Sequence, residues 1–126
     1  MSGKKAWMVT ALIAAFIIAL SAPGASKAAS AKLNYRFYCA ACHGLKGKGD
    51  GPNATKTQPV QPRDHTNGAK MSRLSDSEIL DAIKLGGAAT NISRMMPPFE
   101  KTLTEKEIRA LKDYLRKACK CREGEG

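Results

Sequence analysis

Acidic residues, aromatic residues and long apolar runs are all scarce in this 126-residue chain. Eleven Asp and Glu stand against 21 Lys and Arg, so the formal net charge is +10. The four cysteines are too few for a disulfide-dense mini-protein. Because the sequence has a single long apolar run, a polytopic membrane protein is excluded, and the length leaves room for one compact domain.

The single apolar run lies near the start, at residues 6–22, after Lys4 and Lys5. A basic beginning, an apolar centre and small residues at a cleavage point are typical of an export signal. We predict cleavage after Ala28, which makes residues 1–28 a signal peptide and places the rest of the chain in the periplasm. The alternative is that the apolar run stays uncleaved as a short membrane anchor.

The chain that follows the signal is small and poor in large side chains. Loss of residues 1–28 removes three lysines and no acid, which leaves a net charge of +7. The aromatic residues that remain are Tyr35, Phe37, Tyr38, Phe99 and Tyr114. A domain of this size buries only about 60–70% of its unfolded surface. The sequence therefore predicts that something other than side chains fills part of the core.

Two helices are clearly indicated, and each begins with a capping box. The motif S-x-x-E at residues 75–78 begins the first, which a glycine pair at 86–87 ends. The motif T-x-x-E at residues 104–107 begins the second. A shorter helix is predicted over residues 31–38, whereas residues 44–70 show no helical or strand periodicity and are predicted to form a long loop. The pattern predicts an all-α domain.

Residues 39–43 read Cys-Ala-Ala-Cys-His, the C-x-x-C-H pattern of haem attachment. Two thiols three positions apart each add to one vinyl group of the porphyrin, and His43 is then held under the iron as its proximal ligand. A thioredoxin-like dithiol would need a βαβ context, which is missing, and a zinc site built from the four cysteines would leave His43 unexplained. We predict one covalent haem c, attached through Cys39 and Cys42.

The sixth iron ligand has several candidates. Met95 and Met96 lie between the two predicted helices, and Pro97 disfavours helix at the residue before it. A thioether on such an extended stretch can reach the open face of the haem, although filling the core is the usual role of methionine. Met71 and His65 are other donors, and we expect His65 to be a solvated loop histidine.

The sequence resembles the class I monohaem cytochromes c over residues 31–118. The residues that carry the resemblance are C-x-x-C-H at 39–43, Gly-Asp-Gly-Pro-Asn at 49–53, Met-Pro at 96–97 and a last helix with Tyr-Leu at 114–115. The resemblance implies an all-α cytochrome c fold, in which three to four short helices wrap around one covalently bound haem. The domain then covers residues 29–118, and residues 119–126 form a C-terminal tail.

The resemblance also implies roles for particular residues. In this family the methionine immediately before the proline is the usual axial ligand, which implies Met96 opposite His43. The family places a proline downstream of the histidine, whose carbonyl accepts the hydrogen bond of the proximal imidazole, and Pro52 lies there. The first and last helices of the family cross, which implies that Tyr35 or Phe37 packs against the last helix.

The function that the resemblance implies is one-electron transfer in a respiratory or other extracytoplasmic chain, not enzymatic catalysis. The alternatives are a membrane-tethered subunit of a respiratory complex, and a peroxidase or gas-binding protein with an open iron. The positive charge predicts redox partner proteins with acidic docking surfaces and no nucleic acid. Arg63 is a candidate partner for a haem propionate. Cys119 and Cys121 depart from the family pattern, and an oxidised staple, a bridge to another subunit and a metal site all stay open.

Overall fold

The computed structural model describes residues 30–124, and its regular structure is helical. The elements are α1 Ala31–Asn34, a π-helical segment Tyr35–Cys39, α2 Ala40–His43, α3 Gly68–Met71, α4 Asp76–Ala89 and α5 Glu105–Cys119. Since residues 30–124 contain no strand, the predicted all-α class is confirmed. None of the helices in this range combines the length and the hydrophobicity that a membrane crossing requires. The predicted signal peptide and the last two residues of the tail lie outside the described residues.

The first helix is longer than the sequence predicts. The segments α1, Tyr35–Cys39 and α2 follow one another without a break, so a helical run over residues 31–43 carries the whole C-x-x-C-H motif. This run crosses α5, where the rings of Tyr35 and Tyr114 lie with their centroids 5.1 Å apart. Of the two aromatic residues expected in this crossing, Phe37 is 70% exposed and Tyr35 makes the contact.

Both capping boxes are present, so α4 and α5 begin where the sequence predicts. The N–H of Glu78 donates to Ser75 Oγ at 3.1 Å, and the N–H of Ser75 donates to Glu78 Oε2 at 2.7 Å. Thr104 and Glu107 make the same reciprocal pair at 3.3 and 2.9 Å. Inside α4, Gly86 has φ +78° and ψ 171°, which no helix contains. The straight part of α4 therefore ends at the glycine pair, and one further turn follows.

The core of side chains is small. The large apolar residues that are buried are Tyr35, Met71, Ile79, Ile83, Leu103, Ile108, Leu111 and Leu115. Those of α4 and α5 recur every three to four positions, so each helix turns one apolar face inward. Several of these side chains also line a large cavity, which agrees with the prediction that side chains alone do not fill the interior.

Arg116 fastens the last helix to the segment that enters α4. Its Nε donates to Asp76 Oδ1 at 2.8 Å, its Nη1 to the carbonyl of Met71 at 2.8 Å and its Nη2 to the carbonyl of Leu74 at 2.7 Å. Lys112 adds a 2.9 Å contact to Asp76. The hydrogen bonds from Lys112 and Arg116 lower the pKa of the Asp76 carboxyl.

The last cysteine of α5, Cys119, bonds to Cys121 in the tail. Cys119 and Cys121 form a disulfide within the chain, with their Cα atoms 5.2 Å apart. They are therefore unavailable to a zinc site shared with Cys39 and Cys42. Among residues 30–124 no group of three or more His, Cys, Asp or Glu side chains is arranged to hold a metal ion. Of the alternatives that the sequence leaves open, the structure contains the oxidised staple.

Candidate functional site

A cavity of about 370 Å³ lies between the N-terminal helical run, the loop that follows it, α4 and α5. Its floor is apolar and consists of Met71, Ile79, Ile83, Leu111 and Leu115. A mainly apolar cavity with a few convergent polar groups is the usual form of a cofactor site.

Both thiols of the C-x-x-C-H motif border this cavity. Cys39 ends the π-helical segment and Cys42 lies in α2, so the two side chains occupy one face of the helical run. They are half-buried and are not bonded to each other. Burial raises the pKa of the Cys39 thiol to about 11, with a smaller contribution from Cys42. A redox dithiol needs a lowered pKa, so the environment argues against thiol–disulfide exchange.

His43 borders the same cavity and is held by one hydrogen bond. Its Nδ1 donates to the carbonyl oxygen of Arg63 at 3.0 Å. Because Nδ1 carries the proton, the lone pair of Nε2 is free to bind a metal. Burial lowers the pKa of His43, which favours the neutral imidazole that metals bind.

The acceptor of this hydrogen bond differs from the one that the family resemblance implies. The resemblance points to the carbonyl of Pro52, and the structure places Arg63 at Nδ1 instead. The segment around Pro52 serves another purpose, since the N–H of Gly51 donates to the carbonyl of Cys42 at 3.1 Å. A Cβ atom on Gly51 would overlap the carbonyl of Ala41, so only glycine allows this approach. Residues 51–53 thus close the end of α2 rather than support the imidazole.

Another border of the cavity is a strap, which consists of residues 93–99. Both Met95 and Met96 border the cavity, but Met95 is 60% exposed, whereas Met96 is half-buried and packs against the core. The carbonyl of Met96 accepts a hydrogen bond from the N–H of Gly87 at 3.0 Å. The geometry favours Met96 over Met95 as the thioether that reaches into the cavity.

The glycine pair of α4 lets the strap lie this close. A Cβ atom on Gly86 would lie 2.8 Å from the carbonyl oxygen of Met96, and one on Gly87 would overlap the carbonyl of Ser93. At the far end of the strap, the N–H of Phe99 donates to the carbonyl of Ile83 at 3.1 Å. The strap is therefore attached to α4 through its backbone at both ends.

These residues fit a covalently bound haem, because two thiols, an imidazole with a free Nε2 and a thioether border one apolar cavity. The family model described as "Cytochrome C oxidase, cbb3-type, subunit III" matches residues 26–115. The chain belongs to this family of cytochrome c domains. It is a small monohaem c-type cytochrome, and its haem c is attached through Cys39 and Cys42.

A comparison with solved structures agrees with this assignment. The structure described as "KustC0563 c-type cytochrome" is 24% identical and superimposes with a TM-score of 0.57, over 71% of this chain and 98% of that chain. At this identity the likeness shows the fold, which confirms the predicted cytochrome c fold. No curated protein matches the chain.

The cytochrome contains one buried histidine that sequence reasoning places wrongly. The sequence predicts that His65 lies in solvent, yet it is 8% exposed. Its Nδ1 lies 3.1 Å from the hydroxyl of Tyr35, and its ring stacks on His43 with the centroids 4.1 Å apart and the planes at 19°. Burial, followed by the neighbouring His43, lowers the pKa of His65 to about 3. The polar, aperiodic loop gave no signal of this burial.

Proposed function

We propose that this cytochrome carries single electrons in the periplasm, within a respiratory or other extracytoplasmic chain, and that His43 Nε2 and Met96 Sδ would bind the iron of its haem. The observation that supports the proposal is that these two side chains reach one apolar cavity from different segments. The bound haem supplies a ferric–ferrous couple, and methionine ligation favours the ferrous state.

Two features of the chain's own residues favour electron transfer by this ferric–ferrous couple. The carbonyl of Arg63 holds the proton of His43 Nδ1, which fixes the tautomer and raises the basicity of Nε2. The apolar floor excludes water, so little solvent reorganises when the charge of the iron changes. Val60 and Ile92 also border the cavity and are 42% and 39% exposed, so an edge of the site is close to the surface, where a partner can receive the electron.

The partner that the charge favours is an acidic redox protein. Residues 29–126 have a net charge of +7, and many of the lysines lie on exposed surface. An excess of one sign speeds encounter with a partner of the opposite sign, and salt screens the attraction. We expect the electron-transfer rate with an acidic partner to fall steeply as ionic strength rises.

The ligation is tested by offering the iron an external ligand. If His43 and Met96 occupy both axial positions, ferrous protein binds carbon monoxide slowly at neutral pH, and a redox titration follows a one-electron curve. Rapid carbon monoxide binding would contradict the proposal and favour a peroxidase or gas-binding protein with an open iron.

The description of the matched family favours a second candidate, a membrane-tethered subunit of a respiratory complex. In this alternative the apolar residues 6–22 remain attached to the cytochrome domain. The N-terminal residue of the exported protein separates the two, because a free carrier begins near Ala29 and a tethered subunit retains the apolar run. Release from membranes by salt rather than by detergent likewise favours the free carrier.

A further inference from the structure

We infer that His65 is a positioning residue for the proximal iron ligand, fixing the plane of the His43 imidazole by stacking on it while Tyr35 anchors His65 in turn. The inference rests on the proposed role of His43 as the proximal ligand. It concerns a second histidine that the C-x-x-C-H motif does not contain.

The geometry of the stack carries the inference. The two imidazole rings are 4.1 Å apart and within 19° of parallel, so one covers a face of the other. The edge of His43 is held separately, since Nδ1 donates to the carbonyl of Arg63. Arg63 and His65 are two residues apart in one loop. A single stretch of chain thus contacts both the edge and a face of the same ring, and together the two contacts restrict its rotation.

His65 is itself held from two sides. Its Nδ1 is hydrogen-bonded to the hydroxyl of Tyr35, which is 3% exposed, and the two rings meet edge to face at 5.9 Å. Its backbone N–H donates to the carbonyl of Gly47 at 2.6 Å. Tyr35 also packs against Tyr114 of α5, so the chain of contacts runs from the crossing of the first and last helices to the proximal imidazole.

The stacking on His43 requires an aromatic ring at position 65. An aliphatic side chain of similar size fills the space and excludes water, but it presents no plane for the imidazole to lie against. When His43 tilts, its hydrogen bond to Arg63 weakens, and with it the basicity of Nε2. A less basic ligand stabilises ferric iron less, so the reduction potential rises.

The test compares His65→Phe, His65→Leu and Tyr35→Phe in holoprotein. In the ferric state the spread of the haem methyl proton resonances depends on the orientation of the axial imidazole plane. We expect His65→Leu to change this spread and to shift the ferric–ferrous equilibrium at least about threefold toward ferrous, or about 28 mV at ~59 mV per factor of ten. His65→Phe keeps a flat ring and retains the wild-type spread. Tyr35→Phe gives a smaller change in the same direction as the leucine variant.

Ile108→Ala is the control for a loss of stability alone, because it removes a buried side chain that does not border the cavity. It lowers the unfolding midpoint and leaves the resonances and the potential unchanged. If His65→Leu also loses stability only, His65 is structural and the inference is overturned. If Tyr35→Phe is the only variant that retains haem, an unchanged spread of its haem methyl resonances also overturns the inference. Wild-type ferric protein with the much larger methyl shifts of high-spin iron would contradict the proposed ligation itself, and the inference would fail with it.

Discussion

The two sides of the haem cavity are built by different means. On the proximal side His43 is held by the Arg63 carbonyl and by the buried ring of His65. On the distal side the strap carries Met96, and backbone hydrogen bonds to α4 hold it in place. The difference teaches that one proposed ligand depends on buried side chains and the other on the path of the main chain, so different substitutions should disturb the two sides.

The largest expected effect comes from removing Met96, the proposed distal ligand. Met96→Ala should abolish the weak red sulfur-to-iron band and lower the reduction potential by more than ~59 mV. For one electron, this is a tenfold change in the ferric–ferrous equilibrium. Met95→Ala is the matched control, since this neighbouring thioether is mostly exposed and should leave both unchanged. The reverse result would assign the ligand to Met95.

The next largest effect is expected at Met71, which lies in the apolar floor of the cavity. Met71→Ala should lower the free energy of unfolding by about 2–5 kcal/mol, because the side chain is 1% exposed and its loss leaves a cavity. Denaturant unfolding measures this loss. The red band should persist in the variant, and its disappearance would show that Met71 ligates the iron.

Attachment of the strap is tested at the glycine pair. Gly86→Ala should lower the free energy of unfolding by about 1–3 kcal/mol, because residues with this backbone conformation are almost always glycine. Since a Cβ atom there also meets the carbonyl of Met96, cyanide should displace the methionine faster. Gly124→Ala is the control, with the same φ of +78° and nothing within 4 Å of the added Cβ. Equal cyanide rates in the two variants would show that the strap contact is irrelevant.

The smallest effect is expected at Asp76, which touches neither side of the cavity. The pKa of Asp76 is lowered in the folded state, so its stabilising contribution is present above its unfolded pKa of about 3.9 and is lost as the pH falls through the folded value. The carboxylate is 45% exposed, so solvent screens the pair and Asp76→Asn should cost less than about 1 kcal/mol at neutral pH. Between pH 6 and pH 2, the free energy of unfolding should fall less steeply in the variant than in the wild type, and the haem spectrum should be unchanged.

The parts predicted from sequence are those that short patterns encode. The capping boxes at Ser75 and Thr104 have a local hydrogen-bonding logic, so the starts of α4 and α5 are confirmed. The C-x-x-C-H motif identified the haem, because its chemistry depends on spacing alone. The crossing of the first and last helices was also anticipated, although only Tyr35 takes part in it.

The parts that escaped prediction depend on the path of an aperiodic loop. Nothing local distinguishes the carbonyl of Arg63 from that of Pro52, since any residue supplies a carbonyl. The burial of His65 likewise follows from the position of Tyr35, thirty residues earlier, and not from its polar neighbours. The short helix α3 lies at the end of the same loop and carries no amphipathic pattern.

The central claim is that Cys39 and Cys42 bind one haem covalently, whose iron His43 and Met96 are proposed to ligate. Its most direct test is the pyridine spectrum of exported protein after unfolding in acid and extraction with organic solvent, together with a count of reactive thiols. We predict that haem stays with the polypeptide, that the reduced pyridine adduct has the band of a porphyrin with both vinyl groups saturated, and that neither thiol reacts. Haem that leaves with the solvent, or two free thiols, would contradict the account.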